Sequence, residues 1–203
     1  MTRIATEKTP ITSPEAVGWI REAMRIELGG EPSNKAVALL WALHALETAR
    51  GRSMYNHNFG NLIGAGSANE FWGGDTIALK TRAGEVIFRG YDDNRRGSRD
   101  YVHLFRMGRY SAVWAQLASE SPDFDAWFRA MSKSGYWGHG YVDGGAETEP
   151  TRRNLLALSR EIEPTIESAP RPKSEPPKGG PSGTIAPIVI AIGALLSKWA
   201  GLW

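Results

Sequence analysis

Apolar side chains recur with a helical period through most of residues 12–164, and that rhythm predicts a series of short amphipathic helices. The first is expected to begin at Thr12 or Ser13, where Pro14 suits the first turn and Glu15 can complete a capping box, and to stop before Gly29-Gly30. A second opens after Ser33 and runs to about Arg50, with Gly51 as its stop. Residues 52–75, rich in Asn, Gly and Ser, read as loop. The period then changes. TIALKT and VIFRGY carry strand-forming side chains on either side of Arg82-Ala83-Gly84-Glu85, which predicts a small hairpin. Helical spacing returns after Asp92-Asp93, first at Tyr101, Val102, Leu104 and Phe105, then at Val113, Trp114 and Leu117. It appears again after Ser121-Pro122, at Phe124, Trp127, Phe128 and Met131. A glycine- and aromatic-rich loop, GYWGHGYVDGG, precedes a last helix near Glu149 to Ile162. The expected fold class is mainly α within α+β, with one small β element beside a loop-rich middle.

The pattern divides the chain into three segments: a folded domain over 1–164, a linker over 165–183 and an apolar tail over 184–203. The linker, TIESAPRPKSEPPKGGPSG, holds five prolines and three glycines and has too few large apolar side chains for a packed core. In the tail, TIAPIVIAIGALLSKWAGLW, no residue from Thr184 to Ser197 is charged. It reads as a C-terminal membrane anchor if Lys198 snorkels and Trp199 and Trp203 sit at the interface; a buried or oligomerising tail is the alternative. Arg171, Lys173 and Lys178 precede the apolar stretch, so the positive-inside tendency favours a cytoplasmic position for the folded domain. The first twenty residues lack the apolar run of a secretory signal peptide, so export by the usual N-terminal route is not expected.

Composition narrows the chemistry. A chain of 203 residues has room for one ordinary core plus appendages. The net charge of +2 is too small to argue for a nucleic-acid partner, though it suits an anionic polymer. Cysteine is absent, and the four histidines show no metal-ligand spacing, so neither a thiolate site nor a catalytic zinc is expected. No metal and no cofactor are implied.

One acid stands out. Glu47 falls on the same helical stripe as Leu43, Leu40 and Ala36, so its carboxyl points toward the apolar side of the second helix. Burial disfavours the charged form, and the negative end of the helix dipole acts in the same direction. Both favour an acid that keeps its proton near neutral pH, which is what protonation of a leaving oxygen needs. The alternative is an ordinary ion pair with Arg50 or Arg52.

The stretch around this acid, ALETARGRS followed by NHNFGNLIG, resembles glucosaminidase-type peptidoglycan hydrolases of glycoside hydrolase family 73, in which a helix ends in Ala-Leu-Glu and a loop carries Asn-Asn-x-Phe-Gly. The likeness continues through FWGGDTIALKT, FRGYDDNRRGSRDYVHLF, GRYSAVW and the Gly-Tyr of SGYW, covering about residues 14–160. It implies a lysozyme-like helical domain with a small β hairpin lobe that hydrolyses the β-1,4 bond between N-acetylglucosamine and N-acetylmuramic acid. By the resemblance Glu47 is the general acid, Asn56, Asn58, Phe59 and Gly60 shape the cleft floor, and Tyr136 lies across the cleft, as a core aromatic or with a direct role in the chemistry. Trp137 and Tyr141, in the glycine-rich loop, are expected to contact substrate, whereas Trp72 and Tyr91 are expected to pack.

The match departs at the hairpin. Many relatives carry Thr-Glu-Tyr there, whose Glu is the second carboxylate; here Thr81 is followed by Arg82. Glu85 is the best replacement, with Asp75 and Glu70 behind it, and assistance by the substrate's own N-acetyl group is the alternative. Peptidoglycan glycan strands and, through the tail, a membrane are the expected partners, with a host inner membrane or a phage virion as the setting. A muramidase or lytic transglycosylase on the same polymer remains open, as does a non-catalytic wall-binding protein.

Overall fold

The computed structural model describes residues 1–64, 67–81, 84–136 and 148–172. Four short polar side chains start its helices. Thr12 caps α1 (Ser13–Leu28) and exchanges hydrogen bonds with Glu15, the full capping box, while Gly29 ends the helix in the left-handed region at φ 71°. Ser33 caps α2 (Asn34–Thr48) by accepting from the amide of Ala36. Asp93 and Asp123 do the same for α3 (Asn94–Leu104) and α5 (Phe124–Lys133). Between those two lie a 3-10 turn, Gly108–Tyr110, and α4 (Ser111–Leu117); α6 (Thr148–Ile162) follows.

The second helix is the axis of the core. Every residue from Ala36 to Ala45 is buried, so α2 is enclosed on all faces, with α1, α4 and α6 packed around it. Between Ala36 and Ala45 its sequence is accordingly apolar but for His44, and Glu47 follows in its last turn. The helix ends two residues earlier than the sequence pattern predicts. Thr48 donates its hydroxyl to the carbonyl of His44 at 2.6 Å and accepts from the amide of Gly51 at 2.9 Å, while Ala49 and Arg50 turn to φ 50° and 56°. The side chain of Thr48 therefore takes over the hydrogen bonding that another helical turn would have supplied.

The sheet has three strands. β2 (Asp75–Thr81) and β3 (Gly84–Arg89) pair antiparallel with Thr81 opposite Gly84, so Gly84 and Glu85, expected in the turn, lie within a strand, Glu85 opposite Lys80. The sequence pattern missed β1 (Thr2–Arg3), which pairs parallel to β2 in the register Thr2 with Asp75. Two exposed residues carry no alternation for a pattern to detect. From β1 the chain runs as an arm across the end of α2: Thr9 donates its amide to the carbonyl of Met54, and Ile11 donates to that of Gly51.

Packing also continues past Pro164. Ile166 is fully buried in the core, Asn34 donates to Glu167 at 3.1 Å, and a methyl group at Gly18 would meet the Pro170 carbonyl at 2.1 Å. The first residues assigned to a linker thus belong to the packed domain, with Ile166 in the core and the Ile166 carbonyl accepting from Arg21 of α1. Among the described residues no helix is long and apolar enough to cross a membrane; the apolar stretch 184–203 and most of the linker lie outside them.

Candidate active site

Glu47 emerges from the last turn of α2 half-buried, with its helical neighbours Leu40 and Leu43 fully buried. Burial pushes its carboxyl up to about 8, and the hydrogen bond from Asn61 pulls it back only partly. Arg50 does not neutralise it, being paired with Glu161 at 2.7 Å, and Arg52 directs its Nε to the carbonyl of Ala49. At neutral pH this is an uncharged carboxylic acid with a restricted opening to solvent.

The backbone around it is unusual. All five non-glycine residues with left-handed backbone among the described residues fall within thirteen positions: Ala49, Arg50, Asn56, His57 and Asn61. Such conformations cost free energy for L-residues and persist where the surroundings impose them, often beside functional groups. Here the surroundings are identifiable. Asn56 accepts from the amide of Glu7 at 2.8 Å and donates to the carbonyl of Ala5 at 3.1 Å; Asn58 donates to the carbonyls of Leu62 and Arg89 and accepts from the amide of Leu62. Phe59 is fully buried, and its carbonyl is bonded to His44 Nδ1 at 2.8 Å. Gly60 lies so close to Tyr101 that a methyl there would meet the ring at 2.4 Å. The four residues expected to form a cleft floor are therefore the internal bracing of the loop, and the amides of Asn56 and Asn58 are engaged within the protein.

The loop residue that reaches the acid is Asn61, which the sequence reading did not single out. Its Nδ2 lies 2.6 Å from the Glu47 carbonyl oxygen and 3.5 Å from Oε2. Its position directly after Asn-Phe-Gly was the available signal, since an Asn tolerates the left-handed backbone, φ 48° here, that turns its side chain back to the helix.

On another side of the acid lies a group of aromatic rings. Tyr136 is fully buried, stacked on Phe105 at 5.9 Å between centroids and edge-on to Tyr110 at 6.2 Å. Burial drives its hydroxyl well above the usual tyrosine range, and the charge of Glu47 pushes further in the same direction, which places the two groups within each other's field. Tyr101 feels the same two influences and donates its hydroxyl to the carbonyl of Leu40 at 2.9 Å. The structure thus brings Glu47, Asn61, Tyr101 and Tyr136 together. Tyr136 is both a core aromatic and a neighbour of the acid.

Glu85 stands apart. Its side chain is 58% exposed and paired with Arg3 at 3.2 Å. Asp75 uses its backbone carbonyl to hold the Trp72 indole at 2.5 Å, and Glu70 is exposed. Trp72 and Tyr91 are buried, as the sequence reading had it. Trp137 and Tyr141 lie outside the described residues. Among the described residues no group of histidines and acids is arranged to hold a metal ion.

A second buried polar group supports the site from the hairpin side. Arg89 Nη1 and Asp100 Oδ2 form an ion pair at 2.6 Å with both side chains almost wholly buried, and Tyr91 and Asn69 donate to the same carboxylate. This gives the Phe-Arg-x-Tyr-Asp segment a physical meaning: its Arg and Tyr converge on Asp100 of α3 and lock hairpin, loop and helix together.

No family model and no curated protein sequence matches the chain. Among solved structures it is similar to the glycoside hydrolase domain of FlgJ from Salmonella typhimurium, with 19% sequence identity and a TM-score of 0.50 over 78% of this chain and 92% of that one. It is similar also to a peptidoglycan hydrolase from Sphingomonas sp. A1, with 21% identity and a TM-score of 0.51 over 82% of this chain and 98% of that chain. At these identities the likeness is one of fold, which in this chain is a mainly helical, lysozyme-like domain with a small three-stranded sheet.

Proposed function

We propose that this protein is a peptidoglycan hydrolase that cleaves the β-1,4 bond between N-acetylglucosamine and N-acetylmuramic acid, with Glu47 as general acid. The observation that carries the reading is the carboxyl of Glu47, half-buried at the end of α2 and holding its proton up to about pH 8. On this reading the Glu47 proton passes to the glycosidic oxygen as the electron pair of the breaking C–O bond moves onto that oxygen, and water completes the hydrolysis at the sugar carbon. The two proteins that share the fold, a glycoside hydrolase domain and a peptidoglycan hydrolase, support the same class of reaction. The charge developing on the sugar ring needs a second group. Glu85 and the substrate's own N-acetyl oxygen are the two candidates, and the exposed ion pair of Glu85 with Arg3 favours the latter.

Zymography on purified cell walls tests the assignment. Clearing by the wild-type chain and none by Glu47→Gln is the expected result; equal clearing by both would reject the acid, and no clearing by either would favour a wall-binding protein. Mass spectrometry of the products identifies the bond: a reducing-end N-acetylglucosamine is expected, whereas a reducing-end or anhydro N-acetylmuramic acid would reassign the enzyme as a muramidase or transglycosylase. We further propose that residues 184–203 anchor the protein to a membrane, a reading supported by the absence of charge from Thr184 to Ser197. A reporter fused to that segment is expected in the membrane fraction, and a soluble reporter would reject the anchor.

A further inference from the structure

We propose that Asn61 is a positioning residue that fixes which oxygen of Glu47 carries the proton: its amide holds Oε2 as an acceptor, which leaves Oε1–H free for delivery. This deepens the hydrolase reading and rests on it.

A neutral carboxyl has one oxygen that only accepts and one that bears hydrogen, and a side-chain amide nitrogen offers two hydrogens and accepts none. Asn61 Nδ2 finds two acceptors on one residue, the Glu47 carbonyl oxygen at 2.6 Å and Oε2 at 3.5 Å. The shorter contact satisfies one of the free carbonyls at the helix end and anchors the amide; the longer one lets the same group select the accepting oxygen. A donor aimed at Oε2 makes that oxygen the less favourable place for a hydrogen, so the proton sits on Oε1.

Asn61 is itself held from both sides. The preceding Phe59 carbonyl is bonded to His44 Nδ1 at 2.8 Å, and His44 lies on α2 one turn before Glu47. Gly60 rests on the ring of Tyr101, whose hydroxyl is bonded to α2 at Leu40. After it, the Leu62 amide donates to Asn58 at 2.8 Å. The left-handed backbone of Asn61 is thus imposed by three contacts on its flanks, one to the helix that carries the acid and one to Tyr101, itself bonded to that helix. Loop and acid form one rigid unit, as proton delivery within a narrow angular range requires.

The test uses the full-length chain and two substitutions. Asn61→Gly removes the amide and accepts the left-handed backbone, and Asn61→Asp keeps the shape but replaces the donor with an acceptor. Both are expected to lower kcat on soluble peptidoglycan fragments at least tenfold, with KM changed less than twofold. The Glu47 side-chain carboxyl, followed by carbon-13 NMR and assigned with Glu47→Gln, should titrate at least half a pH unit higher in Asn61→Gly, and higher still in Asn61→Asp. The alkaline limb of the rate profile should move with it. A residue that only capped the helix would lower the denaturation midpoint without moving the titration. An unchanged Glu47 titration in both variants therefore overturns the proposal, as does an unchanged kcat. If the wild-type chain itself is inactive, the hydrolase reading falls and the delivered proton with it, while the titration still reports whether the contact exists.

Discussion

His44 and Phe59 are joined by a hydrogen bond of 2.8 Å from ring Nδ1 to carbonyl oxygen, with their rings 5.0 Å apart, so the core of α2 is tied to the loop at the mouth of the site. The imidazole is fully enclosed, and burial lowers its pKa to about 4, so it is a neutral strut at physiological pH. It donates from Nδ1, because a carbonyl can only accept. This contact, more than any propensity of the loop itself, fixes where Asn61 stands relative to Glu47.

Glu47→Gln should make the protein more stable at pH 8. The folded state holds the Glu47 proton up to about 8, whereas an unfolded glutamate releases it near 4.5. A raised acid contributes stability that is complete below pH 4.5 and is lost as pH climbs through 8. A glutamine has no proton to lose. Urea denaturation should show a gain of up to about 4 kcal/mol at pH 8 that vanishes at pH 4; a less stable variant at pH 8 would mean the carboxyl is ionised in the fold.

Gly60→Ala should damage activity more than stability. The new methyl would meet Tyr101 at 2.4 Å, and relief requires the loop to move away from α2. Overpacking of this kind costs about 1–3 kcal/mol. The rate on cell walls is expected to fall at least tenfold while the protein remains folded at 25 °C by circular dichroism; a fully active variant would show that loop placement is not limiting.

These two effects mark what the sequence could and could not disclose. The caps Thr12, Ser33 and Asp93 were legible because each acts within three residues of itself, whereas the start after Ser121-Pro122 is capped by Asp123, and Glu47 was legible because a helical stripe is a local pattern. The roles of Asn56 and Asn58 were not. Their type suggested a polar cleft, but whether an amide faces substrate or braces a loop depends on partners such as Glu7 and Arg89, far away in sequence. Asn61 was missed for the same reason, since its target lies fourteen residues back on another element. β1 and the burial of Ile166 escaped because they are short pieces that draw their structure wholly from tertiary packing.

Arg89→Met should be severely destabilising. It leaves the Asp100 carboxylate buried without its cation, and breaking such a pair costs about 3–5 kcal/mol. The exposed pair of Arg3 with Glu85 offers the contrast, and Arg3→Ala should cost less than about 1 kcal/mol. Denaturant midpoints measure both; similar losses would contradict the burial assigned to the first pair.

Tyr136→Phe and Glu85→Gln separate the remaining candidates. Removing the Tyr136 hydroxyl keeps the stack on Phe105, so stability should change by no more than about 1 kcal/mol, while kcat falls about tenfold if the hydroxyl acts beside Glu47. Glu85→Gln should keep at least a third of the wild-type rate, consistent with help from the N-acetyl group of the substrate. A hundredfold loss in Glu85→Gln would instead make it the second carboxylate.

The arm before α1 is synthesised ahead of everything it grips. Thr2 donates to Gly74, Ile4 to Thr76, and Arg3 reaches Glu85, all more than seventy residues downstream. While the ribosome is still making the hairpin, the arm has nowhere to dock, and the long loop it must close delays those contacts further. A newborn chain therefore carries α1 and α2 before its clasp can close.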